Sequence, residues 1–359
     1  MKKKILILLI GICFFSTGCF GNGKKNVLKD FEKKYKDLKA YQLEGNLEIL
    51  NNEDVYQYDV KVSYQKKDKF NVSLKNKANN HEQIILKNEN EVYVLTPSLN
   101  KSFKFQSEWP YNNSQVYLIQ SILDDILDDD NRTITENEEK YVIESSVNYP
   151  NNRKLVNQVV TLDPDINLKE VKVVDEQGTE QMKITFTRID LNPNISSSTF
   201  DLNQIMTEKA PTPTPTPTPT DGTTASPSPS STPTPTPSPS PSEQTGSIED
   251  IIYPLYIPAG TVLTNEEKVA KTDGERIIMT FDGEKPFLLV EETASIEEEF
   301  SIIPTYGEPY LLIDTVGALT DSSISWSSNG IDYYIVSDVM SQDELVDIAR
   351  SVAVIPNSK

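Results

Sequence analysis

The chain has 359 residues, enough for two or three domains, and carries 54 acidic against 34 basic residues for a formal net charge of −20. That balance argues against nucleic acid as a partner, because phosphate binding needs a basic face. Cys13 and Cys19 are its two cysteines and His81 its one histidine, so a structural disulfide network, a thiolate metal site and a multi-histidine cage are all excluded beyond the first twenty residues.

At the amino terminus, "MKKKILILLIGICFFSTGCFGNGKK" sets three lysines before an apolar run from Ile5 to Phe15, followed by small residues. This is the layout of a secretory signal over residues 1–18, and the run is too short for an ordinary membrane span. Ser16, Thr17 and Gly18 lead into Cys19, which resembles a bacterial lipobox, where cleavage before the cysteine leaves its thiol to carry a diacylglycerol. Ser16 stands where such boxes usually have leucine, and ordinary secretion with Cys19 incidental is the alternative. The expectation is a lipid anchor at Cys19, a short tether over 19–26, and a place on the extracytoplasmic face of a bacterial membrane of Gram-positive type. Two acyl chains suffice for stable anchoring, whereas one binds reversibly.

From residue 27 the spacing of Val27, Phe31, Tyr35 and Leu38 predicts a helix. The period then changes to two. Tyr41, Leu43, Leu47 and Ile49 share one strand face, as do Tyr56, Tyr58, Val60, Val62 and Tyr64, and Phe70, Val72 and Leu74 continue the pattern after a turn at "KKDK". Further strands are expected near 82–87, 91–96 and 101–106. A helix striped by Val116, Ile119, Leu123 and Ile126 comes next, and then strands at 141–147, 155–162, 168–175 and 181–189. Strands at this spacing with few helices describe an α+β fold: one curved antiparallel half-barrel sheet with covering helices over 27–205.

Two motifs in this stretch carry a resemblance. "YQKKDKFNVSL" and "NENEVYVLTPSLNKSFKF" resemble the LolA-like lipoprotein-carrier superfamily, and within it the Gram-positive germination and sporulation lipoproteins. Asp68, Lys69 and Phe70 fit its first turn motif, with Lys67 in place of proline; Tyr93, Pro97, Leu99 and Asn100 fit the second, with Thr96 in place of aspartate. The resemblance implies a cupped sheet that holds an acyl chain, a peptide or a partner protein. Tyr56, Tyr58, Tyr64, Phe103, Phe105 and Trp109 are then candidate lining residues of that cavity. Plain core packing is the competing reading of the same aromatics, and parity alone does not say which face is concave.

Between Pro211 and Pro241 the chain alternates proline with threonine and serine, 12 prolines in 31 residues. At about 3.1 Å per residue in polyproline II this is a spacer on the order of 95 Å long, with "TDGTTAS" as a joint near its middle. Residues 206–246 read as a linker that lets two modules orient independently. Beyond it, 247–356 reads as a second, small α+β domain, with strands at 261–270, 276–282 and 286–292, another at "PYLLIDTVG", a hairpin turning at Asn329–Gly330, and a terminal helix capped by Ser341 with Glu344. Its ending resembles a small domain of unknown function at the carboxyl ends of Gram-positive envelope lipoproteins.

The residues offer no reaction centre. The acidic run from Asp124 to Asp130 fails as an EF-hand, because Arg132 and Thr133 fall where a ligand and the essential glycine belong, and His81 accompanies no nucleophile or phosphate-loop motif. No enzyme activity, cofactor or metal is expected. The functional expectation is a membrane-anchored envelope lipoprotein acting as a binding or regulatory module in envelope stress, sporulation or germination, with an envelope protein partner or a lipid ligand. A lipid or lipoprotein carrier is the alternative.

Overall fold

The computed structural model describes residues 26–209 and 248–352, apart from positions 52–53, 90, 107–114, 137–138, 150–151, 249, 273, 298 and 314. Cys19, Trp109 and the proline-rich linker lie outside the described residues.

The first module opens with α1 (Val27–Tyr35), then runs through β1 (Ala40–Asn51), β2 (Asp54–Gln65), β3 (Lys69–Asn76), β4 (Glu82–Asn88), β5 (Glu91–Thr96) and β6 (Lys101–Phe105). After α2 (Ile119–Asp128) come β7 (Thr133–Glu136), β8 (Tyr141–Ser146), β9 (Leu155–Leu162), β10 (Leu168–Asp175), β11 (Glu180–Leu191) and α3 (Leu202–Lys209). Successive strands pair antiparallel, and β1 joins the two runs by pairing with both β2 and β11. Alternation dictates the burial. Tyr41, Leu43, Leu47, Tyr58, Val60, Val62, Val72, Ile143, Val160, Val171 and Ile184 form one continuous core on a single sheet face. Helices α1 and α2 cover that face with Phe31, Ile122 and Ile126. The Tyr41 hydroxyl donates to Gln120 Oε1 at 2.8 Å and ties α2 to the floor.

The expected second helix is shorter than its apolar stripe suggests, since Val116 is buried in a turn before α2 begins at Ile119. Helix α3 runs to Lys209, past the expected module boundary at 205, because Ile205 and Met206 are buried against Ile84, Leu86, Tyr93 and Leu95 on the opposite sheet face.

The second module comprises β12 (Thr261–Lys271), β13 (Gly274–Gly283), β14 (Phe287–Thr293), β15 (Ser301–Thr305), β16 (Glu308–Leu311), β17 (Val316–Leu319), β18 (Ser323–Ser328), β19 (Ile331–Val336) and α4 (Gln342–Ser351). Seven of these strands form a sheet in the order β12-β13-β14-β19-β18-β17-β16, and α4 packs Leu345, Ile348 and Ala349 against it. The expected hairpin is present: Asn329 and Gly330 sit at φ 50° and 80° between β18 and β19. So is the capping box, with Ser341 Oγ accepting from Glu344 N and Glu344 Oε2 accepting from Ser341 N.

Two features depart from the sequence reading. "PYLLIDTVG" is not one strand but β16 and β17, which pair as a hairpin with Leu312, Ile313 and Thr315 in its connection. The modules are also not independent. Strand β15 leaves the second sheet and lies parallel to β6, making the first sheet twelve-stranded, while Ile313, Val316 and Ala318 join the first module's core. A long linker permits independent motion; here apolar burial and strand pairing hold the modules together instead.

Candidate functional site

The structure brings the sequence-selected aromatics that it describes into the first module's core. Tyr56, Tyr58, Tyr64 and Phe105 are buried there, and the half-buried Phe103 packs against them. The Tyr64 ring lies between Tyr41 and Phe70, with centroids 5.0 and 4.9 Å away. Tyr56 and Tyr64 are therefore packing residues of the floor. Tyr58 does more: its hydroxyl donates to the carbonyl of Ile313, at the tip of the β16–β17 hairpin.

Beside Tyr58 the floor carries a residue that periodicity did not single out. Gln83, on β4, is 3% exposed. Its Oε1 accepts hydrogen bonds from Val316 N and from Thr315 Oγ1, the latter at 3.1 Å. Its Nε2 reaches Thr96 Oγ1 at 3.4 Å. A buried amide needs its partners nearby, and this one finds most of them in a segment more than two hundred residues along the chain. Nothing in the alternation of "EQIILKN" marks it, because a polar residue at a strand start reads as an exposed end.

Of the spaces between the modules, two border this floor. One is a cleft of about 470 Å³ lined by Phe103, Phe105, Lys101, Trp326, Asp332 and Tyr334, among others. Lys101 and Asp332 face each other across it at 3.9 Å, both largely buried. Burial pushes the Asp332 carboxyl above its ordinary range, against the pull of the Ser327 hydroxyl and Lys101. The other is an apolar cavity of about 60 Å³ bounded by Ile85, Leu155, Met182, Leu311 and Val316. Gln115 Oε1 and Tyr149 Oη are buried without hydrogen-bond partners among the described residues, and both side chains border this cavity. Desolvation holds the Tyr149 hydroxyl well above the usual tyrosine range. A space of that size with two polar walls suits a few water molecules rather than a chain of methylenes.

The acidic run spans the end of α2, and Asp129 just beyond it organises the turn. Asp129 accepts from Asn131 N at 2.8 Å and from Ser146 N at 2.7 Å, and the Ser146 backbone bond leads in holding its carboxyl below the ordinary range. Among the described residues no group of three or more His, Cys, Asp or Glu side chains is placed to hold a metal ion. His81 sits in the turn before β4, where its amide donates to Asn79 Oδ1 and its carbonyl accepts from Asn76 N. Among the described residues no helix is long and apolar enough to cross a membrane.

The first module is an open antiparallel sheet with one apolar face and helices laid across it, followed by a second sheet module. The chain belongs to the family of YdcC-like sporulation proteins, whose model matches residues 1–200. It is similar to the sporulation protein YdcC of Bacillus subtilis (strain 168), at 33% identity over 98% of this chain and 97% of that protein. Similar solved structures include a LolA-superfamily protein from Nitrosomonas europaea, at 10% identity and TM-score 0.29, over 49% of this chain and 96% of that one. A chain of the Pseudomonas aeruginosa MucA/MucB complex matches over 91% of this chain and 95% of that chain, at 10% identity and TM-score 0.31. Superpositions this loose carry no argument about ligand or partner.

Proposed function

We propose that this chain is a lipid-anchored envelope protein of sporulating bacteria that works by binding rather than by catalysis, with the half-barrel as its receiving surface for a protein partner. Cys19 is its anchor, and residues 206–246 link the half-barrel to the second module. The observation that carries the reading is the pair Tyr58 and Gln83. On an otherwise apolar floor, a hydroxyl and a buried amide are aimed at the backbone of a separate polypeptide segment. Hydrogen bonds to main chain are the chemistry of protein recognition and do nothing for an acyl chain. The family's sporulation name supports the setting.

The test is crosslinking of the full chain in sporulating cells of a Gram-positive host, followed by mass spectrometry of what co-purifies. One specific envelope protein, bound without stoichiometric lipid, is the expected result. Acyl lipid at near one-to-one amounts would replace this reading with that of a carrier or acceptor, with Phe103 and Phe105 lining the lipid site in the larger cleft.

A further inference from the structure

Strand β6 ends the antiparallel run of the first module, and its outer edge is filled by β15, which arrives from the second module in the parallel sense. Backbone hydrogen bonds continue the ladder beyond the strand at both ends. Glu297 N donates to Leu99 O, Ser301 N to Asn100 O and Gln106 N to Thr305 O, at 3.1–3.3 Å. A strand from a remote part of the chain laid on a free sheet edge is the geometry by which sheets capture extended peptides. The segment that follows turns inward as the β16–β17 hairpin, and its tip meets Tyr58 and Gln83 on the floor.

This arrangement has the form of a receptor already holding a ligand. We propose that the β6 edge, Tyr58 and Gln83 form a docking site for an extended polypeptide segment read through its backbone N–H and C=O groups, and that residues 301–318 are its resident occupant, which a partner's segment replaces. The inference rests on the protein-binding reading above and names the chemistry that reading leaves open. The resident makes a shallow seat on one side, since Ile302 is 45% exposed and the neighbouring Tyr306 71%, and the cleft of about 470 Å³ runs alongside it. The covalent link between the modules makes rebinding of the resident an intramolecular event, so it can leave the site and return. Gln83 gives the site its selectivity. An occupant that offers no amide or hydroxyl there leaves a buried acceptor unpaired.

Hydrogen exchange on the intact chain tests the seat without any partner. Amides of 301–305 and 311–318 are expected to exchange at least tenfold faster than those of β13 and β14, which belong to the same module but not to the seat. Equal protection would mean a permanent joint core and would overturn the proposal. A second measurement tests recognition in trans. In the full chain, Ile313→Ser with Thr315→Ala weakens the resident and leaves Tyr58 and Gln83 intact. A fluorescent synthetic peptide of the chain's own residues 299–319 is expected to bind this variant saturably, to bind the unaltered chain at least tenfold more weakly, and to lose binding when Gln83→Ala is added. A variant with native exchange in β1–β3 that binds no peptide would overturn the proposal. Both readouts are independent of the cellular partner, so failure to find one in sporulating cells would sink the functional reading and leave this test standing.

Discussion

Gln83 and Glu291 are the two polar side chains whose burial has consequences that can be measured. Replacing Gln83 by leucine removes the acceptor for Val316 N and Thr315 Oγ1 while keeping most of the volume. A buried donor left unpaired costs about 1–3 kcal/mol, so chemical denaturation of Gln83→Leu should show a loss of that size, with faster exchange at residues 315–316. Glu291 is fully buried on β14 and accepts from Ile252 N at 3.0 Å. Desolvation pushes its carboxyl up to about 7, with Glu266 adding to the rise and the Ile252 bond opposing it. The folded state thus holds this proton more tightly than the unfolded chain does. The resulting stabilisation is complete below the unfolded value near 4.5 and is lost as pH rises through about 7. Glu291→Gln keeps the acceptor without the charge. It should be more stable than the parent at pH 8, by on the order of 1–2 kcal/mol after solvent screening, and nearly equal to it at pH 5. Paired thermal melts at the two pH values check this, and an equal gap at both would refute it.

At the scale of elements, the bulge in β11 opposite Gly45 and the cap of α4 carry the clearest expectations. Pairing of β1 with β11 slips between Glu44 and Gly45, and a Cβ added at Gly45 would lie 2.8 Å from the Thr185 carbonyl oxygen. Gly45→Ala must push two central strands apart, at a cost of about 1–3 kcal/mol, which a denaturant midpoint would report. Ser341→Ala removes one half of the capping box, worth about 1 kcal/mol, and should lower the melting temperature while leaving the first module's exchange unchanged. These local devices were legible in the sequence because their chemistry is local: Asn329–Gly330 turns where both residues tolerate positive φ, and Ser341 with Glu344 spells a helix start. The strand faces of Tyr56 through Tyr64 were legible for the same reason, through a period of two. Strand β15 was not. "SIIPT" follows an acidic stretch, contains Pro304 and shows no alternation, and its hydrogen-bond partners come from β6, some two hundred residues earlier. The break between β16 and β17 was hidden as well, since Leu311, Leu312 and Ile313 read as one apolar run with Val316. The floor role of Gln83 depends wholly on what lies opposite it.

For the whole molecule, the question is what the linker does once the modules are docked. An inserted protease site within "TDGTTAS" separates the modules covalently without touching either core. The seat includes the buried Ile313, Val316 and Ala318, one added strand, the Tyr58 and Gln83 contacts, the largely buried Lys101–Asp332 pair and a more exposed pair, Lys154–Asp347 at 2.7 Å. The exposed Lys154–Asp347 pair adds little, and cleaved fragments should co-elute at tens of micromolar and part on dilution to nanomolar, whereas the uncut chain shows no such dependence. Co-elution at every dilution would show that the modules share one inseparable core.

The position of β1 also sets a timetable. It needs β2, its immediate successor, on one side and β11, which begins only at Glu180, on the other. A chain delivered from its amino terminus can zip β1 through β6 as each strand emerges, but the central strand keeps a bare flank until nearly the entire first module is out. Closing so wide a loop is slow relative to hairpin formation. Until β11 arrives, Leu43, Leu47 and Ile49 border an unpaired edge of the kind that recruits other chains. Folding of this protein is accordingly most exposed to aggregation in the interval before residue 191, and a chaperone that shields its growing sheet would act there.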